Sequence, residues 1–294
     1  MHNSFTEQQL QQETEQWTEI ITPRNKLFDL RLKEVWHYRD LLGLFVKRDL
    51  AAQYKQTVLG PLWHIVQPVL TTIMFLVVFN KIAHIPTDGI PAVVFYMSGI
   101  AMWSYFSTCL TGTSNTFISN AGIFGKVYFP RLITPLSIIT SNLIKFSIQF
   151  GLLVAAMLYY AYTGDMKIDI GMHTLLIPAV LFAMAGLGLG LGIIISSLTT
   201  KYRDLTVLVN FGVGLLMYAT PVAYPLSYVE KSSYKTLILL NPLSSLIETF
   251  RYAVLGKGTF DPMLFGYSCL FMVVILFFGM IIFGKVEKTF MDTV

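Results

Sequence analysis

Residues 279–285 read GMIIFGK, the spacing of a phosphate-binding loop, in which backbone N–H groups and a lysine hold phosphates. Val286 stands where a Ser or Thr would hold magnesium, and the stretch ends an apolar segment instead of opening a strand-to-helix turn. The match is therefore coincidental, and ATP hydrolysis is not expected of this chain. The five histidines, His2, His37, His64, His84 and His173, are scattered without metal-ligand spacing, so no metal site is predicted. No Ser/His/Asp arrangement can be argued from spacing, and no catalytic residue is assigned. Cys109 and Cys269 both fall in apolar segments and imply no disulfide framework.

One group with chemical potential remains. Lys145 lies inside an apolar stretch, and Thr134, Ser137, Ser141, Asn142, Lys145 and Gln149 share one arc of a helix there. A charge inside a bilayer is costly, so this stripe should face a water-filled path or another helix, unless Lys145 snorkels to the headgroups. Phe95, Gly99, Met102, Trp103 and Phe106 share a face of another apolar stretch. Such rings can line a path for sugars, and packing between helices is the plainer account. The candidate channel-lining set is Phe95, Trp103, Phe106, Ser141, Asn142, Lys145 and Gln149.

These residues need a membrane scaffold. Of 294 residues, 54% are hydrophobic and 13% charged, with mean hydropathy +0.60, which places the chain in the membrane class. A helix needs roughly 20 apolar residues to cross the hydrocarbon core. Six segments qualify: 62–79, 92–110, 136–160, 174–198, 205–224 and 264–283. The spacing thus predicts an all-α membrane protein with six transmembrane helices. Their interiors hold no Asp or Glu, which argues against a proton- or sodium-coupled carrier. A membrane-embedded glycosyltransferase would need clustered acids for metal and sugar-nucleotide chemistry, and none cluster. Segments on the N-terminal side hold 14 Lys and Arg against six on the other, so both termini are expected in the cytoplasm. The net charge of +4 is modest, and no nucleic-acid partner is expected. The first thirty residues are polar and show no cleavable leader.

Three shorter elements complete the plan. Residues 1–33 form a polar segment, 34–56 an amphipathic helix and 57–294 the six-span domain. In the amphipathic helix Val35, Tyr38, Leu42, Phe45 and Val46 share one face, with Lys47 and Arg48 opposite, a pattern for a helix on the membrane surface; Asp49 on the apolar face is the exception. In region 225–260, Asn241 can cap a helix with Pro242 at its first position, and Gly256 and Gly258 stop it. That helix is too short to cross, so it reads as interfacial or re-entrant on the outer side, with Glu248 and Arg251 three apart and able to pair on the surface. Finally, the loop within 112–135 contains NAGIFGKVYFPRLITP, unusually apolar for a connector.

Residues 38–68 (YRDLLGLFVKRDLAAQYKQTVLGPLWHIVQP), with GKVYFPRLITP at 125–135 and LNPLSSLIETFRY at 240–252, resemble the permease subunits of polysaccharide-exporting ABC transporters of the O-antigen (Wzm) type, with relatives in capsule and teichoic-acid export. The resemblance implies two copies of the permease and a cytoplasmic ABC ATPase that binds ATP and magnesium, so that no cofactor belongs to this chain. It implies a lipid-linked polysaccharide as substrate and a multi-pass location in the bacterial inner membrane. Residues 34–56 become an interface helix at the membrane lipid. Ile123, Phe124, Lys126, Val127, Tyr128, Phe129 and Arg131 become the ATPase-coupling element, apolar because a protein partner buries it. Asn241, Pro242, Glu248, Phe250 and Arg251 fall in a re-entrant periplasmic gate. A drug or antibiotic exporter permease has the same six-span plan and is the alternative; the run from Gln53 to Trp63 and the aromatic content favour a polymer.

Overall fold

A computed structural model describes residues 32–55, 57–169, 171–202, 204–229 and 233–293, so the polar segment 1–33 lies almost wholly outside the described residues. Every regular element among them is helical. The amphipathic segment forms α1 (Leu32–His37) and α2 (Arg39–Tyr54), broken at Tyr38. A 3-10 turn at Gly60–Leu62 leads into α3 (Trp63–Phe75), which continues as a π-helix to Ile82. Then follow α4 (Ala92–Ser114), α5 (Thr116–Phe124), α6 (Ile133–Tyr162), α7 (Leu176–Thr199) and α8 (Leu205–Tyr218). Two short helices, α9 (Leu226–Val229) and α10 (Lys235–Leu240), precede α11 (Pro242–Leu255) and α12 (Pro262–Thr293).

Five stretches are long and apolar enough to cross a membrane: Gly60–Ile82, Ala92–Ser114, Ile133–Tyr162, Met172–Thr199 and Pro262–Glu287. The segment expected at 205–224 differs. Its helix α8 has 14 residues, about 21 Å at 1.5 Å per residue, short of the ~30 Å hydrocarbon core. Pro221 explains the early stop: it has no N–H to continue the ladder, and it turns the preceding residue away from helix. Residues 219–224 are turns, not helix.

α4 is the central helix, buried along most of its length and packed between α3, α6 and α7. The glycines of GLGLGLG set how closely α7 approaches its neighbours. A Cβ at Gly188 would lie 2.8 Å from Cys109 Cβ, and one at Gly192 2.5 Å from Thr113 Cβ, both on α4. Gly186 and Gly190 instead face Met272 and Ile275 of α12, with would-be contacts of 2.6 and 2.8 Å. The two interleaved GxxxG pairs therefore serve two partners, one on each side of α7.

α11 begins as the sequence indicates. Asn241 Oδ1 accepts from the Leu243 backbone N–H at 3.1 Å, Pro242 follows, and Gly256 closes the helix in the left-handed region at φ 63°. Its setting is unexpected, because nearly every residue from Leu243 to Leu255 is buried against α4, α7 and α12. At the opposite end of the molecule a second apolar cluster joins Phe117, Phe124, Phe129, Ile133, Ile193 and Phe283, flanked by Val35, Tyr38, Leu42, Phe45 and Val286. Residues near both ends of the described chain thus meet on the side of the loop between α5 and α6.

Candidate functional site

Three constellations stand out, and the first is that loop. α5 ends at Phe124, and residues 125–132 return the chain to α6. Phe124 and Phe129 are buried, with ring centroids 5.7 Å apart; Phe129 meets Phe45 of α2 edge-on at 5.4 Å, and Phe124 meets Phe117 at 6.0 Å. Arg131 donates from Nη1 to the Glu287 carbonyl at 2.6 Å and lies over the Phe124 ring. Burial pulls the Arg131 guanidinium below its ordinary pKa, and the Glu287 carboxylate opposes this. The loop is therefore a tip on a rigid base. Gly125, Lys126, Val127 and Tyr128 make the tip, with Val127 58% and Tyr128 50% exposed. Ile123 is half-buried in the base.

This corrects one sequence argument. Phe124 and Phe129 need no partner protein to cover them, since the chain's own α2 and α12 do so. Among the described residues of the loop, the exposed large apolar side chains are Val127 and Tyr128.

The amphipathic helix shows the matching half. Val46 is buried and Val35, Tyr38, Leu42 and Phe45 are partly buried on the aromatic cluster, while Lys47 is exposed. Arg48 stacks over Phe45 at 4.4 Å and pairs with Asp49 at 2.8 Å. Asp49, anomalous on an apolar face, accepts from Ser137 Oγ of α6 at 3.3 Å. The face is thus apolar where it meets the cluster and polar where it meets α6.

The second constellation follows from that polar contact. Ser137, Ser141 and Asn142 are buried, and Lys145 Nζ donates to Asn142 Oδ1 at 3.0 Å. Asn142, Lys145 and Gln149 border a cavity of about 150 Å³ completed by Gln53, His64 and Gln67 together with Ser104 and Tyr105 of α4. The helical stripe is real, and its partners come from three other helices. Gln53, His64 and Gln67 gave no sequence signal, as each sits singly between apolar residues. By contrast, Phe95, Trp103 and Phe106 are enclosed in the protomer's core. They do not border this cavity: α4 turns Ile100, Ser104, Tyr105 and Thr108 to it, and these three rings pack against other helices.

The third is Arg251, wholly buried on α11. Its Nη1 donates to the Pro221 carbonyl and its Nη2 to the Val222 carbonyl, both at 2.7 Å, and Nη1 reaches Glu248 Oε2 at 3.3 Å. The two carbonyls lie in the turns that follow α8. Gly99 of α4 makes room, since a Cβ there would lie 2.7 Å from Nη2. The expected pairing of Glu248 with Arg251 exists, but inside the protein and not on its surface, because α11 is enclosed on all sides. Phe250, on the same helix, packs edge-on against Phe146 of α6.

Comparison with known proteins gives these three constellations a common setting. The chain is 28% identical over 254 residues to an O-antigen export system permease protein, RfbA, of Klebsiella pneumoniae, an alignment covering 86% of this chain and 94% of the relative. It is 30% identical over 222 residues to the RfbA permease of Myxococcus xanthus, covering 75% and 82%. The polysialic acid transport protein KpsM of Escherichia coli is 23% identical over 254 residues, covering 84% and 93%. Residues 40–255, which run from α2 through α11 and include the loop, the Lys145 stripe and Arg251, match the family model, and the chain belongs to the ABC-2 type transporter family.

Proposed function

We propose that this chain is the membrane-spanning permease subunit of an ATP-driven exporter, and that its cargo is a lipid-linked polysaccharide of the O-antigen class. Similarity to O-antigen and polysialic acid transport proteins along most of their length supports the cargo class. The observation that carries the mechanism is the rigid loop with Val127 and Tyr128 at its tip. A tip held by Phe124, Phe129 and Arg131 can transmit a push from a docked ATPase to α2, α6 and α12 together, because all three share the aromatic cluster. ATP and magnesium then belong to the partner.

The finer architecture follows the same reading. Six crossings are supported by the meeting of α1, α2 and the α12 terminus at the loop side. α8 starts on that side, where Thr206 Oγ1 lies 3.5 Å from Asn115 Oδ1, and α12 starts on the other. The stretch from α8 to α11 must therefore carry the chain across. α11, locked by Arg251 to the break after α8, serves as the re-entrant element of the outer gate, with Asn241 and Pro242 at its start and Glu248 and Phe250 within it. α1 and α2 lie at the membrane surface, where exposed Trp36 and Leu44 meet lipid. α8 has no buried residue and exposes Val207, Leu208, Phe211 and Leu215, a face suited to a second copy of the chain or to lipid. The loop side faces the cytoplasm of a bacterial inner membrane.

The test is export itself. In cells lacking this chain, polymer should be made and retained on the cytoplasmic side, and re-expression should return it to the surface. Unchanged surface polymer in its absence would overturn the assignment.

A further inference from the structure

The cavity beside Lys145 is used neither by the coupling loop nor by α11. Its lining holds a lysine, a histidine and four side-chain amides, and no carboxylate. Lys145 Nζ makes one hydrogen bond, to Asn142, so two of its three donor positions remain for a ligand. Asp49, one turn before Gln53 on α2, is already engaged by Arg48 at 2.8 Å and by Ser137. The carbonyl oxygen of Gln149 is buried without a hydrogen-bond partner among the described residues. The cavity is polar, and Lys145 is the one Lys, Arg, Asp or Glu among its lining residues.

Depth narrows the ligand. α6 has 30 residues, about 45 Å, whereas the hydrocarbon core spans about 30 Å, so some ten residues lie outside it. The surplus belongs to the end packed on α2 through Ser137 and Asp49, because the other end carries the exposed interfacial rings Tyr159 and Tyr162. Ten residues from Ile133 reach Asn142, which puts Lys145 at the boundary between headgroups and hydrocarbon. Gln53 and Gln67 are exposed, so the cavity opens at that level beside α2 and α3. Phosphates of membrane lipids occupy this depth.

We propose that this cavity binds the phosphate group of a membrane lipid, with Lys145 as the cation and the neighbouring side-chain amides as neutral donors. A lysine serves as a point charge for phosphate. Two sources share this chemistry, a phospholipid headgroup and the phosphate joining a carrier lipid to its polysaccharide. Only the second rests on the export reading; the site itself does not.

Binding of two probes to the purified full-length chain in a phosphate-free maltoside detergent separates them: phosphatidylglycerol and farnesyl diphosphate. Loss of a charge-assisted hydrogen bond predicts at least a 10-fold weaker Kd for Lys145→Gln, with Lys145→Arg retaining most of the affinity and both variants melting like the parent chain. Tighter, Lys145-dependent binding of farnesyl diphosphate would assign the site to the carrier lipid. Equal or tighter binding of phosphatidylglycerol would assign it to a phospholipid. Failure of the parent chain to bind either probe, or an unchanged Kd in Lys145→Gln, would overturn the site. The measurement uses neither ATPase nor polymer, so it stands or falls apart from export.

Discussion

The guanidinium carbon of Arg251 stands 3.8 Å from the centroid of the Phe95 ring, with neither side chain reaching the surface. A desolvated cation over an aromatic face gains about 2 kcal/mol or more, and the two carbonyls and Glu248 complete the neutralisation. Arg251→Met should then leave Glu248 buried without its counter-ion and cost about 3–5 kcal/mol. The double change Arg251→Met with Glu248→Met should recover part of that loss. Thermal unfolding of the purified proteins in detergent measures both. A double variant no more stable than the single one would show that the pair does not act as a unit.

Helix approach at α7 gives a second prediction, with an internal control. Gly188→Ala places a methyl 2.8 Å from Cys109 Cβ, and overpacking of this kind costs about 1–3 kcal/mol. Gly212→Ala in α8 meets nothing within 4 Å and should be neutral or slightly stabilising, because Ala is the better helix former. Melting temperatures that fall equally for both variants would mean that α7 does not pack as closely as its glycines allow.

Reporter fusions test the number of crossings. A reporter active only outside the cytoplasm should work near Asp165 and near Asp261, and fail near Lys126 and near Lys201. Activity at Asp165 without activity at Asp261 would mean that α8 and the turns after it do not complete a crossing.

Most of the scaffold is legible in the sequence because long apolar runs have one solution in lipid, a helix with its backbone satisfied internally. The cap and stop of α11 are equally legible, since Asn241, Pro242 and Gly256 act locally. The early end of α8 is missed because hydropathy counts Pro221 and Val222 as apolar and ignores what proline does to the ladder. The enclosure of α11 and the choice of rings at the loop are missed for another reason. Helical spacing shows which residues share a face, but not which neighbour meets it. Asp49 is the exception that could have been followed: a carboxylate on an apolar face asks for a polar partner, and Ser137 on the polar stripe provides it.

The loop gives the sharpest test, because two residues four apart in sequence have opposite settings. Phe124 is 4% exposed inside the aromatic cluster, and Tyr128 is 50% exposed at the tip. Phe124→Asp buries a carboxylate among apolar rings, so it should destabilise the chain itself, even without any partner. Tyr128→Ala truncates a half-exposed ring and should cost the isolated chain much less stability than Phe124→Asp does. If an ATPase docks on the tip, Tyr128→Ala should weaken association by on the order of 1–3 kcal/mol, or about 5- to 150-fold in affinity. Val127→Asp should weaken it further by placing an unpaired charge in the interface. Co-purification with the ATPase and the melting temperature of the isolated chain therefore separate the two roles. Full ATPase binding by both Tyr128→Ala and Val127→Asp would remove the tip from the coupling path and leave the loop as a clasp between α2 and α12.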